Sequence, residues 1–201
     1  MKSKQVYLDN ASTTPVDPKV LKAMLSYFAC KYGNPSSLHT LGRESKNAIE
    51  ISRKNIAKYI GAEPEEIIFT SGGTESDNLA MFGIARAYKE KGRHIIVSGI
   101  EHKAILDACK KLYPYGRSPE GREKEGFEIT YLDVDKNGLV SLEQLSSSIR
   151  PDTILVSIMY ANNEIGTVQP IKEIAKIIQG FKTTGHCERS EAIYIREIAA
   201  S

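Results

Sequence analysis

The residues best suited to chemistry lie in Ile67-Ile68-Phe69-Thr70-Ser71-Gly72-Gly73-Thr74-Glu75-Ser76-Asp77-Asn78. A short β-branched and aromatic run stops at a polar double-glycine turn, and Leu79-Ala80-Met81-Phe82-Gly83-Ile84-Ala85 then reads as a helix. The order strand, glycine loop, helix start turns unpaired backbone N–H groups and the positive end of a helix dipole towards one point. Glycine lets a ligand approach that backbone closely, and Thr74 adds a hydroxyl donor. Such a loop can cradle a phosphate. A plainer reading stands beside it, in which Thr74 and Asp77 form a capping box and the Gly-Gly turn holds nothing. The stretch is neither a Walker A loop, since no Gly-Lys-Ser/Thr follows, nor a G-x-G-x-x-G dinucleotide fingerprint.

Two further stretches carry polar groups of the right kind. Glu101-His102-Lys103-Ala104 follows an apolar run and precedes a helical pattern. An imidazole there can stack on an aromatic cofactor, move a proton near neutral pH, or simply cap the helix. Tyr160-Ala161-Asn162-Asn163-Glu164-Ile165-Gly166 follows the most apolar run of the chain, and its amides suit either a ligand oxygen or a turn. Asp133-Val134-Asp135-Lys136-Asn137-Gly138 copies half of an EF-hand loop, but the closing bidentate carboxylate falls on Gln144 and the entering element is a strand. It reads as a turn, and no metal site is assigned.

The elements that must position these groups alternate along the chain. Asp17-Pro18 starts a helix whose Val20, Leu21, Met24 and Phe28 form an expected buried stripe. Tyr32-Gly33-Asn34-Pro35-Ser36-Ser37 breaks it, and the next helix runs to Ile60, stopped by Gly61. His94–Ser98, Phe127–Tyr131 and Thr153–Met159 read as strands. Helices follow at Ala104–Cys109, at Ser141–Ile149 and after Pro170, where Ile171, Ile174, Ala175 and Ile178 share one face. Tyr113 to Gly126, rich in Pro and Gly, reads as an exposed loop. Strands separated by helices imply βαβ units and a mainly parallel sheet, with the ligand beyond the C-terminal strand ends. Ser71–Glu75, Glu101–Lys103 and Ala161–Glu164 all fall at such ends.

With 201 residues, 41% apolar and 26% charged, the composition is that of a globular domain, or of one domain with a piece of another. A net charge of +2, with basic and acidic residues interleaved, implies no nucleic-acid partner. No run is long and apolar enough to span a membrane, and Met1-Lys2-Ser3-Lys4-Gln5 opens no signal peptide. Cys30, Cys109 and Cys187 are scattered and odd in number, which suggests a reduced, cytoplasmic protein.

Five stretches occur in order: Leu8-Asp9-Asn10-Ala11-Ser12-Thr13-Thr14-Pro15, Tyr32–Ser37, Phe69–Asn78, Glu101–Ala104 and Asn162–Gly166. Together they resemble the N-terminal half of a cysteine desulfurase of the iron–sulfur-assembly branch. These are class V, fold-type I enzymes that depend on pyridoxal 5'-phosphate (PLP). The resemblance covers roughly residues 5 to 178, with an apparent insertion around Tyr113 to Arg122. It implies an α/β fold, the incomplete three-layer large domain of such a transferase. Residues 1–16 would belong to the small domain, 17–178 to the N-terminal part of the PLP-binding domain, and 179–201 would be an unrelated tail.

By resemblance, Gly73 and Thr74 hold the cofactor phosphate, His102 stacks on the pyridine ring and assists proton transfer, and Asn162 bonds the ring's phenolic oxygen. The family removes sulfur from L-cysteine, giving L-alanine and a persulfide that passes to a scaffold or sulfur-acceptor protein, and works as a homodimer. The family's Asp and Gln for the ring, its Ser-x-His-Lys segment with the Schiff-base lysine, and its nucleophilic Cys loop are not found in these residues. Thr184-Gly185-His186-Cys187 only superficially matches the lysine segment, and the tail is similar to read-through of a repetitive genomic element. The expectation is an enzyme by descent, truncated and inactive as written. Two alternatives are another class V activity, such as a selenocysteine lyase, and a non-enzymatic fragment that binds an intact desulfurase subunit.

Overall fold

The structure, a computed structural model, describes residues 6–112, 126–183 and 193–194. The expected loop at 113–125 and the Cys187 segment lie outside the described residues. The chain divides into two compact units, Met1–Phe69 and Thr70–Ser201.

In the first unit, α1 (Pro18–Ala29) starts as expected, with the Asp17 carboxylate accepting the Lys19 N–H at 2.6 Å and Pro18 in the first turn. Helix α2 (Thr40–Ile60) begins where His39 Nδ1 accepts the Gly42 N–H, and it ends on Gly61 at φ 69°. The left-handed backbone there is one that glycine adopts without strain. Two expectations fail. Val20, Leu21, Met24 and Phe28 do lie along α1, yet no residue of that helix is buried, and Phe28 is 72% exposed. Periodicity places apolar side chains on one face but does not supply the surface that covers them. Ile67–Thr70 forms no strand. Its backbone is extended at Ile67, but no neighbouring strand pairs with it among the described residues. Instead the Ile67 N–H donates to Pro64 C=O, and the Arg53 guanidinium donates to Ile67 C=O while lying 5.0 Å over the Phe69 ring. A cavity of about 500 Å³ opens in this unit, lined in part by Tyr27, Lys31, Phe69 and Tyr32, Gly33 and Pro35 of the Tyr32–Ser37 motif.

The second unit is a parallel sheet with helices on both faces. Helix α3 (Gly73–Tyr88) leads into β1 (His94–Ser98), α4 (Lys103–Leu112), β2 (Glu128–Leu132), α5 (Leu142–Ser148), β3 (Thr153–Ser157), α6 (Ile171–Thr183) and β4 (Ile193–Tyr194). The strand order is β2-β1-β3-β4, and every pairing is parallel. The crossover from β1 to β2 runs through α4, so neighbours in sequence become neighbours in the sheet. Alternation along β1 builds two cores. Ile95 and Val97 pack with Met81 and Ala85 of α3 and with Ile105, Ala108 and Cys109 of α4. Ile96 points the other way, into Leu145 of α5 and Ile174 and Ile178 of α6, beside Val156 of β3. Helix, sheet and helix make the three expected layers. The all-buried strands β1 and β3 fit a sheet covered on both faces.

The half EF-hand forms a tight turn. The Asp135 carboxylate accepts the Asn137 and Leu139 N–H groups, Gly138 sits at φ 82°, and Gln144 bonds the Asp133 N–H at 2.7 Å. These bonds use the side-chain oxygens that a calcium ion would need. Helix α6 continues through Gly180 to Thr183, and β4 pairs with β3 at Leu155 and Val156.

The N-terminal ends of the strands are tied by polar contacts. His94 is fully buried, with Nδ1 2.7 Å from the Thr153 hydroxyl and Nε2 2.8 Å from the Thr130 hydroxyl. Arg150 grips Asp152 with Nε and Nη2, both at 2.9 Å, and reaches Glu128 at 2.7 Å. Gly92 enters β1 so close to the Asp152 backbone that a Cβ would overlap its carbonyl. Gly92→Ala is therefore expected to cost about 1–3 kcal/mol, read as a lower urea midpoint with unchanged slope.

Candidate functional site

Helix α3 begins at Gly73, with Gly72 as its N-cap and no side chain bonded to the first turn as a cap. Its first internal bond runs from the Ser76 N–H to Gly72 C=O at 3.1 Å, so the Gly73, Thr74 and Glu75 N–H groups have no partner within the helix. The capping box expected between Thr74 and Asp77 does not form. Thr74 is already the second helical residue, and Asp77 lies within the helix, 8% exposed. The Thr74 hydroxyl has no hydrogen-bond partner among the described residues, although its carbonyl accepts from Asn78 at 2.7 Å. A Cβ added to Gly72 or Gly73 would meet no atom within 4 Å. The space a side chain would fill is open, and donors border it.

The remaining hydroxyls of the loop are already engaged. Thr70 Oγ1 lies 2.7 Å from Ser76 Oγ. Ser71 donates both its N–H, at 2.7 Å, and its hydroxyl, at 2.5 Å, to Oε2 of Glu75. The Ser71 hydroxyl and then its N–H hold the Glu75 carboxyl below its usual range.

His102 sits at the start of α4, where its carbonyl accepts from Ile105 and Leu106 and its Nδ1 accepts the Ala104 N–H at 3.2 Å. It is an exposed helix cap. An accepting Nδ1 leaves the proton of the neutral ring on Nε2. Asn162 is 9% exposed and does the turn work expected of it. Its Oδ1 accepts from the Glu164 and Ile165 N–H groups at 2.9 and 3.0 Å. Its Nδ2 reaches back to Ile100 C=O at 3.1 Å and to the Met159 sulfur at 3.3 Å.

The fold thus joins two of the predicted stretches directly, since the loop after β3 is hydrogen-bonded to the loop after β1. The third is coupled through Asp77. Burial raises the Asp77 carboxyl above its ordinary value, and the charge of His102 partly offsets that rise. Sequence reasoning placed Glu101 past a strand end but gave it no task. Glu101 is 6% exposed, and its Oε1 accepts the Met159 N–H at 2.5 Å, joining the ends of β1 and β3. A carboxylate directly after an apolar strand was the available signal. Cys109 offers no nucleophile, because burial and then the charge of Glu101 push its thiol up to about 12.

No helix among the described residues is long and apolar enough to cross a membrane. The aminotransferase class-V profile matches residues 6–199, which runs through the stretch set apart above as a tail. The chain is 50% identical over 188 residues to a putative cysteine desulfurase, IscS 1, of Bacillus subtilis, covering 94% of this chain and 47% of that protein. It is 52% identical over 191 residues to the cysteine desulfurase IscS of Methanosarcina thermophila, covering 95% and 45%. Among solved structures, a NifS-like protein superposes with a TM-score of 0.85 at 38% identity, covering 98% of this chain and 50% of that one. SspA in complex with cysteine gives 0.76 at 40% identity, covering 86% and 47%. The chain spans about half the length of the curated relatives it matches. With the profile matched over nearly all its residues, the chain belongs to the class-V aminotransferase family.

Proposed function

We propose that this chain is the cofactor-anchoring part of a PLP-dependent cysteine desulfurase of the iron–sulfur-assembly branch. The observation that carries the reading is the start of α3, where unmatched N–H groups, a partnerless Thr74 hydroxyl and an open glycine face meet. That donor set fits a phosphate monoester. When bound, PLP supplies an electron sink for bonds at the amino-bearing carbon of L-cysteine.

The chain's own residues take definite tasks. Gly73 and Thr74 donate to the phosphate. His102, its Nδ1 fixed on Ala104 N–H, offers a ring face for stacking and Nε2 for proton transfer. Asn162 has one Nδ2 hydrogen on Ile100 C=O and the other on a sulfur, a weak acceptor that a phenolic oxygen can replace. Residues 1–16 belong in this reading to a small domain and 17–178 to the PLP-binding domain. Sulfur leaves as a persulfide for a scaffold or acceptor protein, in a cytoplasmic homodimer.

Thr74→Val removes the hydroxyl and keeps the shape. It is expected to weaken PLP binding by about ten-fold, in line with the loss of one hydrogen bond to a charged group. Pyridoxal, which lacks the phosphate, should bind both proteins alike. Unchanged PLP affinity would remove Thr74 from the site. A polypeptide of these 201 residues, assayed alone with PLP and cysteine, should form no alanine.

A further inference from the structure

We propose that Glu75 is an internal competitor for the phosphate cradle, limiting how tightly this chain binds the phosphate of PLP. The inference rests on the cradle reading above and concerns a residue to which that reading gives no task. Glu75 occupies the third position of α3, one residue after Thr74. Its carboxylate does not point away from the loop. It folds back and takes two donors, the N–H and the hydroxyl of Ser71.

These donors flank the same Gly72-Gly73 opening whose remaining donors face no acceptor. A carboxylate oxygen holding an N–H and an O–H together at 2.7 and 2.5 Å uses the contacts that a phosphate oxygen would make. The loop therefore divides its donors. Ser71 is committed to Glu75, while Gly73, Thr74 and the helix dipole are left for the ligand.

Two consequences follow for an incoming phosphate. It meets a negative charge within one helical turn, and it cannot use Ser71 unless Glu75 lets go. The simpler role for an acidic residue in a helix's first turn is to stabilise the helix start. That role alone predicts that removing the charge loosens the loop and weakens binding. Competition predicts the opposite.

The test compares wild type, Glu75→Gln and Glu75→Ala as full chains, titrated with PLP and, separately, with pyridoxal. Glu75 is exposed, so neither substitution disturbs packing, and far-UV circular dichroism checks the fold. Glu75→Gln removes the charge but keeps an acceptor for Ser71, whereas Glu75→Ala also frees Ser71. Each is expected to bind PLP about three- to ten-fold more tightly than wild type, with alanine at the upper end, and pyridoxal unchanged. The gain should shrink in about 1 M salt. It should grow as pH rises through about 6, where a phosphate monoester takes its second charge. A helix-start role is also screened by salt, but it predicts weaker rather than tighter PLP binding by the variants and no growth of a gain with pH. Equal or weaker PLP binding by both variants overturns the proposal and leaves the cradle standing. Wild type that binds PLP no better than pyridoxal overturns the cradle, and the competition with it.

Discussion

Glu101→Ala is expected to lower stability by about 2–3 kcal/mol, the cost of stranding a buried N–H that had a charged acceptor. For a chain of this size that is a fall in melting temperature of roughly 5–10 °C. The reason lies in what the carboxylate joins. Met159 follows β3 and Glu101 follows β1, and their 2.5 Å bond holds together the two loops that carry His102 and Asn162. Losing it should therefore also weaken PLP binding. Glu101→Gln keeps an oxygen acceptor and should recover at least half of the lost stability. If alanine and glutamine were equally mild, the loops would be held by other contacts and Glu101 would have no positioning role.

The second large effect is on pH dependence, through His94. This imidazole is fully buried between two hydroxyls, and burial, then the charge of Arg150, lowers its pKa from the ordinary value. Asp152 and Glu128 act in the opposite direction but more weakly. The unfolded chain takes up the proton near pH 6.5 and the folded chain only at lower pH, so the unfolded state holds more protons across that interval. Stability is complete above about pH 6.5 and falls as pH drops, by up to about 1.4 kcal/mol per unit. Glu128 and Asp152 are depressed by Arg150, so their contribution is lost only below the ordinary carboxylate range, in a separate window. Asp77, raised by burial, acts in the opposite sense. Urea unfolding of wild type and His94→Gln between pH 5 and 8 isolates the histidine, because the other groups are common to both. The variant should be less stable at pH 8 and show a flatter profile below 6.5. Parallel profiles would mean that His94 is not the titrating group.

Much of this architecture was legible in local sequence. Asp17-Pro18, Gly61 and Ser141 end or begin helices where they were expected to, because a cap is decided by two or three neighbouring residues. The apolar runs at His94–Ser98 and Thr153–Met159 read as buried strands, the second of which ends two residues earlier, at Ser157, and the βαβ order implied the parallel sheet. Ile67–Phe69 misled, since β-branched residues favour extended backbone but a strand also needs a partner. The stripe of α1 misled in the same way. Of the candidate site residues, His102 and Asn162 were placed after strands by the sequence, which left a cap or turn role open beside a ligand role, and the structure shows the helix and turn bonds.

The sequence by itself determined most of the element order, the ends marked by Asp17, Gly61 and Ser141, and that Glu101–Lys103 and Ala161–Glu164 fall beyond strand ends. Each follows from dihedral preferences and side-chain periods that act over a few residues. The tertiary structure alone decided the partners. Glu101 meets a backbone 58 residues away, and His94 meets hydroxyls 36 and 59 residues away. Sheet register and helix packing bring those groups together, and burial then sets the acidity of His94. Neither register nor burial is a property of the neighbours in sequence. Ser71 and Glu75 are only four residues apart, yet their bond too depended on where α3 began. Had the helix started at a Thr74 cap, Glu75 would have been its first residue rather than its third, and the carboxylate would not have reached back to Ser71.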